Sequence, residues 1–354
     1  MNSARRAPRS STVEFDPQRL REAGEDPVAV IDGWRAQGLR ATGALTELPE
    51  DPGQLVLAVD AADPPRTTLR LRRVDPVPPV WESLMPAPKR LGRLCARRFP
   101  PVEPNTLAYL ASQRALVRWL IEDKAWNGLF RDGGDLPVGL GAGFDERVVE
   151  YPWLFARGLR GRVLDAGSVL NHRHVIEPLL DRADELTIVT LAPEVASFNE
   201  LGVSYLYADL RDLPLRDDWF DEVVCLSTLE HVGMDTAIYG ADTPRDDDPQ
   251  EAAAWALREL LRVVRPGGRV HVSVPFGHRE DLGWLRQLDR GAVDELFERA
   301  GAGRREEFVY AYTSQGWRRS SFAAAADASY ETMPSEAPDK AAAARAVLCA
   351  TIQA

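Results

Sequence analysis

From about residue 150 to the C terminus, short apolar runs alternate with segments whose apolar residues recur at helical spacing. Strands interleaved with helices in this way form a parallel sheet that is covered on both faces. The pattern predicts a doubly wound, mostly parallel α/β domain that ends in an antiparallel pair of strands. The predicted strands are 162–166, 185–191, 203–208, 222–227, 269–274, 307–312 and 346–352, and the predicted helices are 174–182, 251–264 and 292–300.

The first 104 residues show a more mixed pattern. A helical repeat over 15–37 is followed by two strand patterns, at 54–60 and 67–74. Eight prolines between residues 75 and 104 indicate an extended connector. We therefore expect a small α+β region near the N terminus, which could cover a site, select a substrate or form a homodimer.

A helical connector is predicted between these two regions. Asn105 can cap a helix that extends to about Glu122, because leucine and valine recur along one side of it. A glycine-rich break follows at 133–143. We expect three parts: an accessory region over 1–104, a helical connector or cap over 105–149, and a ligand-binding domain over 150–354.

Composition narrows the class of protein. The chain has 354 residues, of which 45% are hydrophobic and 27% charged, as expected for a soluble globular protein of two domains. The net charge of −11 argues against partners such as nucleic acid or an anionic membrane. No apolar run approaches the ~18 residues of a membrane span. The three cysteines are far apart and no signal peptide is evident, so we expect a cytoplasmic protein.

The loops that follow the predicted strands are the places to look for chemistry, because ligands of an open parallel sheet bind at its carboxyl edge. After the first strand, Asp165 can accept from an ammonium group, and Gly167 lets a ligand approach the backbone closely. After the third strand, Asp209 can accept from an exocyclic amine while the next N–H, of Leu210, donates to a ring nitrogen. That pair would recognise the edge of an adenine. The alternative for each segment is ordinary turn chemistry.

Four segments between residues 162 and 270 resemble, in order and spacing, the class I S-adenosylmethionine-dependent methyltransferases of the type 11 group. They are VLDAGS, ADLRDLP, FDEVVCLSTLEH and LLRVVRPGGRV. The resemblance covers roughly residue 150 to the C terminus. It implies a seven-stranded Rossmann-like sheet, S-adenosylmethionine as the cofactor and a small-molecule acceptor.

The resemblance also implies a set of cofactor-binding residues. Asp165, Gly167 and Ser168 would line the methionine end, and Asp209 with the Leu210 backbone would hold adenine. The backbone of Leu226 would lie near the amino group. Tyr151 falls where the upstream helix of the family closes over the methionine moiety.

Two features depart from the family pattern. The second and third glycines of the first loop are missing between Gly167 and Asn171. The acid that binds the ribose should fall near the end of the second strand, at Thr190 and Leu191, where a single hydroxyl replaces a carboxylate. The ribose contacts therefore stay open among Thr190 and three alternatives. These alternatives are Asn171, His172 and Glu194.

A hydroxyl acceptor needs a base near neutral pH, and histidine suits that task. His231 follows the fourth strand at the ligand edge, so we predict it as the catalytic base. The alternative is a histidine that only shapes the wall of the site. His278, after the fifth strand, is predicted to contact the substrate. His172 and His174 lack an evident third ligand, so we predict no metal site.

The long polar insertion over 233–250 predicts a lid or a substrate wall. Its Tyr239, together with Trp153 and Trp284, completes the predicted substrate contacts. Aromatic rings beside arginines suit sugars, so we expect O-methylation of a sugar or a glycosylated metabolite. Two alternatives stay open because of the altered loop and Thr190. The fold could use the cofactor for another reaction, such as cyclisation or decarboxylation, or it could be a non-catalytic partner subunit.

Overall fold

The computed structural model describes residues 10–15, 39–42, 67–73, 87–104, 106–194, 196–235, 245–332 and 343–354. Near the N terminus, strands β1 (Ser10–Phe15), β2 (Leu39–Thr42) and β3 (Thr67–Arg73) form an antiparallel sheet in the order β1-β3-β2. Strand β3 confirms the pattern at 67–74. The predicted strand at 54–60 and nearly all of the predicted helix at 15–37 lie outside the described residues.

Three helices follow: α1 (Ala87–Arg98), α2 (Leu107–Glu122) and α3 (Lys124–Arg131). The predicted cap at Asn105 was wrong by one residue, because the Thr106 side chain accepts from the Tyr109 N–H at 3.1 Å. Helix α2 ends at Glu122 as predicted. Asp123 then caps α3 by accepting from the backbone of Ala125 and Trp126.

The remaining elements build one large sheet, a separate antiparallel pair of two short strands, and helices. Within the described residues the sheet has eight strands in the order β12-β11-β13-β8-β7-β4-β5-β6. The elements are α4 (Arg147–Ala156), β4 (Gly161–Ala166), α5 (Arg173–Leu180), β5 (Ala183–Thr190), β6 (Ser204–Tyr207), β7 (Phe220–Leu226), α6 (Pro249–Val263), β8 (Val264–Pro275), β9 (Glu280–Asp281), β10 (Arg286–Gln287), α7 (Arg290–Ala300), β11 (Arg305–Thr313), β12 (Gly316–Ser320), α8 (Phe322–Ala325) and β13 (Ala346–Gln353).

The predicted α/β class is confirmed, with one strand more than expected. Strands β4 to β8 pair in parallel, whereas β13 is antiparallel to both β8 and β11. The extra strand is β12, which extends the sheet beyond β11. Strand β4 lies between β5 and β7, so the strand order reverses at the carboxyl end of β4.

Apolar residues that are neighbours along a strand face opposite sides of the sheet. Val163 and Val224 lie in one hydrophobic cluster, whereas Leu164 and Val223 lie in the other. Helices α2 to α5 supply the first cluster, and α6 and α7 supply the second. The connector helices therefore share the core of the sheet. None of the described helices has the length and apolar character that crossing a membrane requires.

Candidate active site

The first loop begins where β4 ends. Gly167 has a φ of +113°, and a Cβ built there would lie 2.3 Å from the Oγ1 atom of Thr228. Only glycine fits this position. The loop after β4 therefore lies directly against the loop after β7, as the predicted convergence of strand ends requires. The group that approaches Gly167 in this structure is the Thr228 side chain.

Asp165 is fully buried at the end of β4. Its Oδ2 atom accepts from the Leu170 N–H at 2.8 Å. Its Oδ1 atom and the Oγ atom of Ser168 are also buried and have no hydrogen-bond partner among the described residues. Burial raises the pKa of Asp165 to about 8. Buried polar atoms without partners are costly, so this pair is suited to a ligand that donates hydrogen bonds.

Helix α4 closes over this loop. The Tyr151 hydroxyl donates to the Val169 carbonyl at 2.6 Å, and the residue is almost completely buried. Burial raises the pKa of Tyr151, so the phenol stays a neutral donor. The upstream helix thus contacts the first loop. Tyr151 holds the first loop from behind.

Asn171 joins the loops after β4 and β5. Its Nδ2 atom donates to Glu194 Oε2 at 2.9 Å and to the Ala196 carbonyl at 3.0 Å. Its Oδ1 atom accepts from the Tyr205 hydroxyl at 2.8 Å. With 2% of its surface exposed, Asn171 uses both polar atoms inside the protein. Its direct contact with the ribose stays a prediction.

Thr190 ends β5 at the same edge, and its carbonyl accepts from the Ala208 N–H at 3.1 Å. Leu191 follows it with 42% of its surface exposed. An exposed leucine beside two polar loops offers apolar surface that a flat ring could cover.

Asp209 follows β6, and both of its carboxylate oxygens accept from the Arg211 guanidinium, at 2.6–3.1 Å. Arg211 also forms an ion pair with Asp246. Burial opposes the ionisation of Asp209, but the hydrogen bonds from Arg211 outweigh it and lower the pKa. An adenine amine would share an oxygen of this carboxylate with Arg211. Leu210, beside it, is buried.

A buried carboxylate that the sequence analysis missed ties α4 to the end of β7. Glu150 Oε1 accepts from the hydroxyls of Ser227 and Ser273, each at 2.6 Å, and its other oxygen pairs with Arg147. Ser227 has a φ of +41°, an uncommon value outside glycine. Glu150 therefore helps to hold a strained turn directly after the buried Leu226. The only sequence signal was a second charged residue, besides Arg147, on a mostly apolar helix, since the serine partners lie 77 and 123 residues away.

His231 lies in a short turn after β7. Its Nδ1 atom is 2.9 Å from the Trp284 carbonyl, which can only accept, so the ring proton is on Nδ1. The ring stacks on that of Trp284 with centroids 5.4 Å apart. Burial lowers the pKa of His231 to about 4, which keeps the ring neutral. Its Nε2 atom is 3.8 Å from Glu230 Oε1, on a carboxyl whose pKa burial raises.

The structure describes three of the four predicted substrate residues. Trp284 borders His231 and meets Tyr330 edge-on at 6.0 Å, and His278 is exposed after β8. Trp153 is fully buried against His271, with ring centroids 5.9 Å apart, and its substrate contact stays a prediction. Its apolar side belongs to the core. Tyr239 and the middle of the predicted lid lie outside the described residues.

The two histidines of the first loop lie against each other. Their rings, His172 and His174, stack with centroids 5.6 Å apart. Among the residues described, no three His, Cys, Asp or Glu side chains are grouped so that they could hold a metal ion.

A family model described as a methyltransferase domain matches residues 174–272. The matched segment runs from α5 into β8 and includes Thr190, Asp209, Leu226 and His231. Over these residues the chain is similar to that methyltransferase domain. The match to the methyltransferase domain begins after the first loop, where the glycine pattern differs.

Solved structures that are similar to this chain share little sequence with it. A possible histamine N-methyltransferase from Thermotoga maritima is 15% identical, covering 55% of this chain and 82% of its own, with a TM-score of 0.34. The 1,6-didemethyltoxoflavin N1-methyltransferase from Burkholderia thailandensis, solved with S-adenosylhomocysteine, is 16% identical over 54% and 69%, with a TM-score of 0.35. The [4+2]-cyclase SpnF is 20% identical over 55% and 75%, with a TM-score of 0.33. Among curated proteins, none matches.

Proposed function

We propose that this methyltransferase transfers a methyl group from S-adenosylmethionine to a hydroxyl of a small molecule, namely a sugar or a glycosylated secondary metabolite. One observation carries the proposal. His231 is a neutral imidazole whose proton is fixed on Nδ1 by the Trp284 carbonyl, at the edge where the loops after β4 and β7 touch. In this tautomer, Nε2 carries the lone pair that can accept a hydroxyl proton.

The residues of the first loop fit the amino-acid end of the cofactor. Asp165 Oδ1 is a buried acceptor without a partner among the described residues, which suits an ammonium donor. Ser168 Oγ lies in the same loop and adds a second polar atom. The exposed Leu191 and the backbone of Leu210 would contact adenine, with Asp209 as the acceptor for its amine. When bound, the cofactor supplies an activated methyl group on a positively charged sulfur.

The protein then contributes mainly position and a proton acceptor. Displacement at a methyl carbon requires the acceptor oxygen to be in line with the leaving sulfur, so orientation accounts for much of the rate. Trp284 fixes both the tautomer and the plane of His231. Its own ring, with His278, would form part of the wall that binds the acceptor. A flat aromatic face suits the apolar side of a sugar ring.

The test combines calorimetry with a methyl-transfer screen. Wild-type protein should bind S-adenosylmethionine and S-adenosylhomocysteine, and should add one methyl mass to a glycosylated acceptor. His231→Ala should keep the affinity for S-adenosylhomocysteine within about twofold and lose roughly 100-fold or more in turnover. His278→Ala is the matched control, because it removes an imidazole from the same edge without removing the proposed base. Its turnover should exceed that of His231→Ala at saturating acceptor.

Other outcomes would contradict the proposal in distinct ways. Unchanged turnover in His231→Ala would remove this residue as the base. A product without the added methyl mass would favour another reaction that uses the cofactor. Failure to bind either cofactor form would favour a non-catalytic partner subunit.

A further inference from the structure

We propose that Glu194 holds the ribose hydroxyls of the cofactor, in place of an acid at the end of β5. The inference rests on the proposed function, since it concerns the same cofactor. Strand β5 ends in Thr190, which offers one hydroxyl. A carboxylate accepts from two vicinal hydroxyls at once, and a single hydroxyl does so poorly. Glu194 lies four residues further along, and its carboxylate contacts Asn171 in the loop after β4, at the same edge of the sheet.

Two side chains, Asn171 and Tyr205, position Glu194. Asn171, in the loop after β4, donates to Glu194 Oε2 at 2.9 Å. Tyr205, on β6, donates to Asn171 Oδ1 at 2.8 Å and accepts from the Phe198 N–H at 2.9 Å. These hydrogen bonds thus connect the carboxylate to the loop after β4, to strand β6 and to the rest of the loop after β5. Such a tether reduces the ordering cost that a loop carboxylate would otherwise add to binding.

The tether uses only part of the acceptor capacity of Glu194. In the described part of the chain, Oε1 accepts no hydrogen bond, and the residue is exposed. A carboxylate has about four lone-pair directions, of which Asn171 occupies one. The negative charge of Glu194 also contributes to the raised pKa of Asp165, which places both carboxyl groups at one edge of the sheet. One end of this edge suits the ammonium group, and the other suits the ribose.

The two other ribose candidates are less suited. Asn171 has both polar atoms engaged within the protein. His172 stacks on His174 and offers at most one ring nitrogen to a ligand at a time. Glu194 is the only one of the three that offers a charged acceptor with open lone pairs, as far as the described residues extend.

The experiment is a calorimetric double-mutant cycle with the full chain. The ligands are S-adenosylhomocysteine and its 2′,3′-dideoxy analogue, and the variant is Glu194→Gln. Glutamine keeps an oxygen that can accept from Asn171, so the tether is retained while the charge is lost. We expect a loss of about tenfold or more in affinity for S-adenosylhomocysteine and almost none for the dideoxy analogue. Glu200→Gln is the control, because Glu200 is an exposed acid that pairs with Arg173 at 2.7 Å.

A second variant separates the role of the charge from that of the loop. Thr190→Asp in the Glu194→Gln background places a carboxylate at the strand end and should restore most of the affinity. An equal penalty for both ligands, or an affinity of Glu194→Gln within twofold of wild type, would overturn the inference while leaving the proposed function intact. Wild-type protein that binds neither ligand would overturn both.

Discussion

The buried carboxyl of Asp165 should link cofactor binding to pH. Because its pKa is raised to about 8, Asp165 is mostly protonated at pH 7. An ammonium group favours the ionised form, so binding should release a proton at neutral pH. The affinity for S-adenosylhomocysteine should rise from pH 6 to pH 8 and then level off. Titrations at pH 7 in two buffers of different ionisation enthalpy measure the proton release; identical heats in both would contradict this role.

Asp165 should also lower the stability of the free protein. Its folded pKa, about 8, exceeds the ordinary value of 3.8, so the folded state binds more protons and loses stability as the pH rises between these values. Asp165→Asn keeps an acceptor for Leu170 but cannot ionise. We expect its free energy of unfolding at pH 8 to exceed that of wild type by on the order of 2 kcal/mol. Urea denaturation at pH 5 and pH 8 tests this, since the difference should shrink at pH 5.

Some site residues could be found from the sequence because their surroundings are local. Asp165 and Gly167 follow a strand directly, and His231 follows another, so strand order alone brings them to one edge. Trp153 could not be assigned in this way. It lies two residues after Tyr151, but its indole packs on His271, 118 positions along, and only the tertiary fold determines that contact.

At the scale of elements, Glu150 connects α4 to β7 and β8. Removing it would leave two serine hydroxyls and Arg147 without their shared acceptor. Glu150→Ala should lower the free energy of unfolding by about 3 kcal/mol. Glu150→Gln should lower it less, because an amide oxygen still accepts from the serines.

Thermal unfolding together with hydrogen exchange over 147–156 measures this effect. Glu177→Ala is the control, since Glu177 forms an exposed pair with Arg118 and should change stability by less than about 0.5 kcal/mol. Equal stability of Glu150→Ala and wild type would show that the contacts of Glu150 contribute nothing to the free energy of unfolding.

Elements with a strong apolar pattern were predictable, and those without it were not. Strands β4, β7 and β13 are almost entirely buried, and each agrees with its prediction to within two residues. Strand β12 was missed because GWRRS has two buried residues followed by three half-buried polar ones, as befits the edge of a sheet. The cap of α2 moved from Asn105 to Thr106 because the choice between adjacent capping residues depends on backbone conformation.

At the scale of the whole molecule, the sequence predicted the order of elements but not their spatial arrangement. Alternating strands and helices imply a parallel sheet, yet β13 lies between β8 and β11, an arrangement that periodicity cannot reveal. The helices of the predicted connector also pack into the core of this sheet. Leu120 of α2 and Trp126 of α3 are fully buried in the cluster that contains Val163 of β4. Long-range packing of this kind has no local signal.

The central claim is that the carboxyl ends of β4, β5 and β7 bind one nucleoside-containing cofactor. A crystal structure of the full chain with S-adenosylhomocysteine tests it most directly. We expect the amino group of the ligand at Asp165 Oδ1, its ribose near Glu194 and its adenine beside Leu191 and Leu210. A ligand bound on another face of the sheet, or Thr228 still closing the space beside Gly167 at saturating ligand, would contradict the account.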